Sequence, residues 1–343
     1  GGRDGLALLM DELDARFVTN PPPQPHLLVL SGDQIYADEV AHPLMPRILR
    51  VAADLVGIDE TDVFGPPPAI GGRGPGTRAL GYTGATANHL WTFGEFLAMY
   101  LLTWSPVLWA NPLPGFPPPA IPPDVDSGVS QGTWDEEQAH VRLHLDVLPQ
   151  VRRVLANIPS VMICDDHEIT DDWNIDYAWV NSVYANHGGR RGVTNGMMAY
   201  LVCQHWGNKP AEFDAASSPE SLALAMISEA ATSGQSAAST AAPLLGVPTD
   251  VLPAAPRART LRDLTAPGAI RYDLTLGPEE GWPARIVLLD ERTCREYPEQ
   301  VGRGARISLA GLAVQLPPPT TPAEVTLVVA ATPIVGTELI EHM

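Results

Sequence analysis

Lysine is almost missing from this chain of 343 residues: Lys209 is the only one, and every other basic side chain is arginine. Lys and Arg together number 21 against 40 Asp and Glu, which gives a formal net charge of −19. So acidic a chain lacks the basic surface needed to displace counterions from a nucleic acid or to dock on an anionic bilayer, so neither partner is expected. A hard cation remains welcome wherever the acids cluster. Cysteine is scarce too. Cys164, Cys203 and Cys294 are odd in number and widely spaced, which gives neither a disulfide framework nor a CxxC zinc signature. Long apolar runs are also lacking. Leu90 to Trp104 is the most apolar helical stretch, is interrupted by Glu95, and falls short of the roughly 20 residues of a bilayer span, so it reads as a helix of a soluble domain. The opening GGRDG carries no initiator Met, basic n-region or apolar h-region, which implies that a targeting segment is absent or that an N-terminal portion lies upstream.

The length allows one large domain with insertions or two smaller ones. Four short runs read as buried parallel strands: Leu27 to Leu30, Val161 to Cys164, Ile286 to Leu289 and Val325 to Ala330. They are continuously apolar, as in a sheet covered on both faces. The first three run into SGDQIYAD, DDHE and DERT, so polar residues collect at one sheet edge. Between them lie helical patterns. Asp4 is placed to cap a helix with Leu6, Leu9, Met10, Leu13 and Phe17 on its apolar face. Thr133 and Glu136 have capping-box spacing, and Pro149 should kink or end the helix that follows. Strands alternating with helices predict an α/β sandwich with a largely parallel or mixed sheet. The predicted organisation is a single domain over 1–343, with a mainly helical and loop insertion at about 64–150 and an Ala/Ser/Pro-rich excursion at about 210–260. The Gly/Pro segment 64–76 and the Pro-rich segment 111–126 read as loops. The run 215–256 reads as a mobile or loosely packed excursion with a short helix near SPESLALAMISEA.

In open α/β sheets ligands sit outside the carboxyl ends of the strands, which would bring Asp33, Tyr36, Asp165, Asp166 and His167 together. Crowded carboxylates repel unless a cation or a shared proton offsets their charge, and a metal is the simpler solution. Tyr36 lies three positions after Asp33, about one helical turn, so both side chains can face one ion. Phenolate suits a trivalent ion such as iron, and carboxylates suit iron, manganese, calcium or magnesium. His167 either binds metal or stands beside it and protonates a leaving oxygen. Zinc-protease HExxH chemistry is excluded, because Asp171 occupies the second histidine position.

Each of these residues also has a plainer reading. Asp33 after a strand and a glycine is often a cap, and an isolated Tyr36 is more often packed than ligating. Asp38, Asp165 and Glu168 suit supporting or capping roles. Asp171 and Asp172 fit the first turn of a helix, where the dipole favours acids. Arg292 and Arg295 either hold a substrate phosphate or neutralise the acid-rich edge. His89, His140, His144 and His205 fall in helical patterns and read as core or surface residues.

GDQIYAD resembles the GDxxY block of metallophosphoesterases that place a tyrosine on ferric iron. DDHEITDDWN resembles the block that replaces GNHE in PhoD-like alkaline phosphatases, a bacterial group of the calcineurin-like superfamily. ANHLWTFGEFLAMYLLTWS, RRVLANIPSVMICDDHE, CQHWGNKP and LLDERTCREYP resemble stretches of the same group. The resemblance implies a calcineurin-like sandwich of mixed β-sheets flanked by helices and a hydrolase acting on phosphate mono- or diesters through a water activated by two metals. It implies Fe³⁺ at Tyr36 and a divalent ion, Ca²⁺, Mn²⁺, Mg²⁺ or Zn²⁺, beside it. Asp33 then matches the bridging aspartate, Asp166 a metal ligand, and His167 the histidine that assists the leaving group. The family's outer ligand blocks, a GSC-like strand and a GDVH-like block, have no counterpart here, so the sequence reads as an internal fragment incomplete at both ends. Two alternatives follow: a phosphodiesterase for nucleotides or lipid headgroups, or an inactive, ligand-binding relative. Both exported and cytoplasmic PhoD-like enzymes fit these residues.

Overall fold

The structure, a computed structural model, describes residues 4–19, 25–83, 86–109, 112–113, 115, 129–249, 260–262, 264, 268, 270–278, 284–297, 304–318 and 325–332. Most of the Pro-rich segment 111–126 therefore lies outside the described residues. Thirteen α-helices and five strands are described: α1 Gly5–Thr19, β1 Leu28–Leu30, α2 Met45–Leu55, α3 Thr61–Phe64, α4 Gly74–Ala79, α5 Phe93–Trp104, α6 Gln131–Asn157, β2 Ser160–Met162, α7 Tyr177–Ala185, α8 His187–Tyr200, α9 Trp206–Asn208, α10 Pro210–Asp214, α11 Pro219–Ser233, α12 Ala238–Leu245, β3 Leu274–Leu276, β4 Ala284–Leu288, α13 Leu309–Gln315 and β5 Val325–Val329. The architecture is mixed α/β with helix predominating.

Two small sheets form. β1 and β2 pair in parallel with Val29 opposite Val161. In the second sheet β4 pairs antiparallel with β3 and parallel with β5. Val161 and Ile163 share an apolar cluster with Leu274, Ile286 and Leu288, so the two sheets bury residues against each other. The fourth apolar run behaves differently from its sequence pattern. β5 is not covered on both faces, and Val325, Leu327 and Val328 are exposed. A continuous apolar run identifies the strand but not what lies over it.

The larger core is helical. Thr92 accepts a hydrogen bond from the Glu95 amide, and the Glu95 carboxylate accepts one from the Thr92 amide, which starts α5 with a full capping box. The acid that interrupts the apolar stretch is thus its cap. Buried Glu95 also pairs with buried Arg73 at 2.6 Å. α8 runs close beside α5 at Gly196, where a Cβ would lie 3.2 Å from Phe96 Cε1 of α5 and 2.5 Å from Ile169 Cδ1. After α8 the chain widens into one π-helical turn, Leu201–His205, before α9. Close by, the Nζ of Lys209 donates to the Arg271 carbonyl at 2.6 Å.

Three local expectations need correction. Asp4 does cap α1, accepting from the Leu6 amide at 2.8 Å. The cap of α6, however, is Ser130, which accepts from the Thr133 amide at 3.1 Å, so Thr133 is inside the helix. α6 also runs through Pro149 to Asn157, held along Met10, Val154 and Ile158 by packing against α1. The described part of the Ala/Ser/Pro-rich excursion, up to residue 249, is not loose. Ser218 caps α11, and Gly234 and Gly246 end α11 and α12 in left-handed geometry. Ala223, Ala230, Ala238, Ala241 and Ala242 join Ile227 and Leu245 in the main core. What reads as low complexity is the small-residue face that lets helices approach closely. Among the described residues no helix is long and apolar enough to cross a membrane.

Candidate metal centre

Because β1 and β2 are parallel neighbours, their carboxyl ends open on the same side, and the two acid-rich loops meet there. The join is specific. The His167 amide donates to Asp33 Oδ1 at 3.1 Å, and the Ala37 amide donates to the His167 carbonyl at 2.8 Å. Glu168, fully buried, accepts from the Gln34 amide at 2.7 Å on one oxygen and from the Asp165 amide at 2.9 Å on the other. Gln204 Nε2 adds a third bond at 3.1 Å. Burial pushes the Glu168 carboxyl up to about 8, against the hydrogen bonds that favour the carboxylate.

Oxygen atoms of Asp33 and Asp166 and a ring nitrogen of His167 lie within 4.8 Å of one another, a group that could hold a metal ion. Carboxylate and imidazole donors suit hard and borderline cations. The electrostatics agree. Burial, then the charges of Asp165 and Asp166, push the Asp33 carboxyl up to about 6, so the cluster carries negative charge it has too few cations to offset.

Tyr36 does not reach this group along a helical turn, since residues 31–40 are irregular. Instead its ring packs on the His167 ring, centroids 4.4 Å apart. Burial and the Asp33 carboxylate raise its phenol above the ordinary value, so ionising it requires a cation beside it. Asp38 is fully buried and takes the Nδ1 side of His167 at 2.9 Å, while its other oxygen accepts from the Asp171 amide at 2.6 Å. Nδ1 therefore carries a proton, and Nε2 is left facing the Asp171 carboxylate, 3.8 Å away. Burial alone would depress His167, but the Asp38 hydrogen bond and the charges of Asp38, Asp33 and Asp166 outweigh it and raise the imidazole above its usual value.

The segment after β4 closes the site from a third side. Arg292 is buried and donates from Nε to Asp165 Oδ1 at 2.7 Å; its Nη2 also bonds Asp165 and lies 3.0 Å from Asp166 Oδ1. Of the two readings for this arginine, the neutralising one matches these contacts. Arg295 is buried as well, and donates from Nε to the Glu291 carbonyl at 2.9 Å and from Nη1 to the Asn174 carbonyl at 3.2 Å. The cost of burying so many charges is met by pairing them with one another and with carbonyls.

Asp171 and Asp172 are not in the first turn of a helix. Residues 167–174 form successive turns, with Asp172 at φ 60° and Asn174 at φ 59°, and α7 begins only after Asp176, which accepts from the Trp179 amide. Asn174 is fixed in that conformation by four bonds: its side chain joins the Arg292 carbonyl and the Tyr184 hydroxyl, and its carbonyl accepts from Tyr297 and Arg295. The turns swing Asp171 and Asp172 back so that their oxygens fall within 4.8 Å of Asp166. These two residues and Gln204 were missed as site neighbours. The acidic pair was visible, but a helix dipole explained it equally well. No family model, no curated protein and no solved structure matches the chain.

Proposed function

We propose that the chain is a metal-dependent phosphoesterase of the PhoD-like kind, hydrolysing phosphate mono- or diesters on a calcineurin-like sandwich. The observation that carries this reading is the convergence of Asp33, Asp166 and His167 at the carboxyl ends of adjacent parallel strands. The apolar cluster shared by the two small sheets supports the sandwich. Asp33, Tyr36 and Asp166 would hold Fe³⁺ together with a divalent ion, Ca²⁺, Mn²⁺, Mg²⁺ or Zn²⁺. Such a pair supplies Lewis acidity, lowering the pKa of an attacking water and neutralising charge on the phosphoryl oxygens.

The rest is the work of the protein's own side chains. Asp38 fixes the tautomer and plane of His167, so that Nε2 is the atom available to protonate the leaving oxygen. Glu168 ties the two ligand loops together, and Arg292 holds Asp165 and Asp166 against the charge of their neighbours. The test is hydrolysis of an aryl phosphate and a bis-aryl phosphate after loading with iron and manganese, with and without chelator. Chelator-sensitive hydrolysis is expected. Hydrolysis unaffected by chelator would overturn the metal dependence, and metal uptake with no hydrolysis of either ester would favour the ligand-binding relative.

A further inference from the structure

We propose that the cavity beside Tyr36 is the leaving-group pocket of this site and that it selects phosphate esters of an aromatic alcohol about two rings in size. The inference rests on the phosphoesterase reading of the adjoining cluster. Tyr36 forms one wall of a cavity of about 300 Å³, and the same ring packs on His167. A group esterified to a phosphoryl at His167 therefore has this cavity as its neighbouring space.

The chemistry of the walls decides the occupant. Met99 and Leu102 from α5, Val141 and His144 from α6, and Trp109 line it with Tyr36. Among the described residues that line this cavity there is no Asp, Glu, Lys or Arg, in a chain with 40 acids. A second phosphate or a carboxylate on the leaving group would find no Lys or Arg among the described lining residues, and a cationic headgroup would find no carboxylate among them. An aromatic group would find an indole, a phenol and a thioether, each a favourable ring contact. Burial depresses His144, which favours its neutral form and keeps that wall uncharged near neutral pH.

The pocket is also built in advance. Trp109 Nε1 donates to the Leu102 carbonyl at 3.0 Å, and Arg47 ties the adjoining backbone to α2 through the carbonyls of Leu108, at 3.4 Å, and Pro112, at 3.2 Å. A preformed, largely apolar groove binds without first having to order its own side chains. Size follows from volume. A dry apolar cavity of about 150 Å³ takes one benzene, so 300 Å³ suits a bicyclic ring or a ring with a short chain.

The experiment measures 2-naphthol binding to the whole chain by perturbation of the Trp109 indole resonance, assigned with Trp109→Phe. It then compares 2-naphthylmethyl phosphate with phosphocholine and a nucleoside monophosphate as substrates. Thr103 also lines the cavity, and Thr103→Trp, which fills it from α5, is expected to weaken 2-naphthol binding by at least about tenfold. It should lower kcat/KM for the naphthyl ester by a similar factor, and by far more than for phosphocholine. Val141→Trp, which fills the cavity from α6, provides the 2-naphthol binding measurement if Thr103→Trp does not fold. Undiminished 2-naphthol binding in the filled variant, or phosphocholine hydrolysed as well as the naphthyl ester, overturns the inference while leaving a phosphoesterase in place. Filled-variant-sensitive 2-naphthol binding with no ester hydrolysed supports the aromatic pocket and instead removes the phosphoesterase reading.

Discussion

Asp38 and His167, 129 positions apart in sequence, meet through His167 Nδ1, which lies 2.9 Å from Asp38 Oδ1 and 3.0 Å from Oδ2, with the carboxylate fully buried and the imidazole 21% exposed. The pair fixes which nitrogen of His167 is available. Asp38→Asn keeps the shape but removes the charge that holds the Nδ1 proton. It should lower kcat by about 10- to 100-fold with little change in KM. Nitrogen-15 resonances of His167 should show the tautomer shifting, and an unaltered tautomer would remove Asp38 from the positioning role.

Glu168 predicts a stability effect of a different origin. Its two oxygens receive the Gln34 and Asp165 amides from the two ligand loops. Glu168→Gln must turn an NH₂ toward one of those donors and leave it unsatisfied. A loss of about 1–3 kcal/mol in chemical denaturation is expected. An unshifted midpoint would mean that the loops are joined by other contacts.

For Arg292 the two readings of the sequence give opposite kinetics. A substrate clamp would change KM and spare the fold. A neutralising residue, buried against Asp165 and Asp166, should destabilise the protein by about 3–5 kcal/mol on change to Met, because two carboxylates lose their partner. Thermal melts alongside kinetics separate these outcomes.

Tyr36 should announce itself by colour. Iron-loaded protein is expected to show a visible tyrosinate-to-iron charge-transfer band, and Tyr36→Phe should abolish it. Chelation should bleach the wild type reversibly. A band that survives Tyr36→Phe would refute this ligand.

His89 sets an acid limit. It is fully buried, its Nδ1 proton goes to the Leu90 carbonyl at 2.7 Å, and Nε2 has no partner among the described residues. Burial pushes its pKa down from 6.5 to about 4; the Leu90 carbonyl and the charges of Asp38 and Glu95 push the other way, and Arg73 adds to the depression. Above pH 6.5 neither folded nor unfolded chain binds a proton there. From 6.5 down to about 4 the unfolded chain takes up a proton that the fold refuses, so stability falls by about 1.4 kcal/mol per pH unit from this residue. His205, also buried and depressed, adds a loss of the same sign. His89→Asn should flatten that part of the stability curve, and an unchanged slope would contradict the assignment.

The strand-end acids were legible because apolar runs ending in charge are rare and local, and parallel pairing turns two such ends into one place. Tyr36 was legible as a partner but not by its route: the loop is irregular, and ring packing on His167 does what a helical turn was expected to do. Asp171 and Asp172 were hidden because one acidic pair fits both a helix start and a reversing turn. Only the left-handed conformations of Asp172 and Asn174, fixed by tertiary bonds to residues 292–297, decide between them. Alanine-rich helices such as α11 and α12 escape a reading based on large apolar residues. Their burial comes from close approach rather than from side-chain size.

Lys209 has a practical consequence. The chain's sole ε-amine is bonded to the Arg271 carbonyl, and burial, together with the nearby Arg271 charge, lowers its pKa despite the carboxylate of Asp273. Acylating reagents that decorate most proteins at many points will find, beyond the chain terminus, a single amine whose reactivity depends on the fold being open. The rate at which that one position is modified is therefore a built-in clock for the opening of the segment between the π-helical turn and β3.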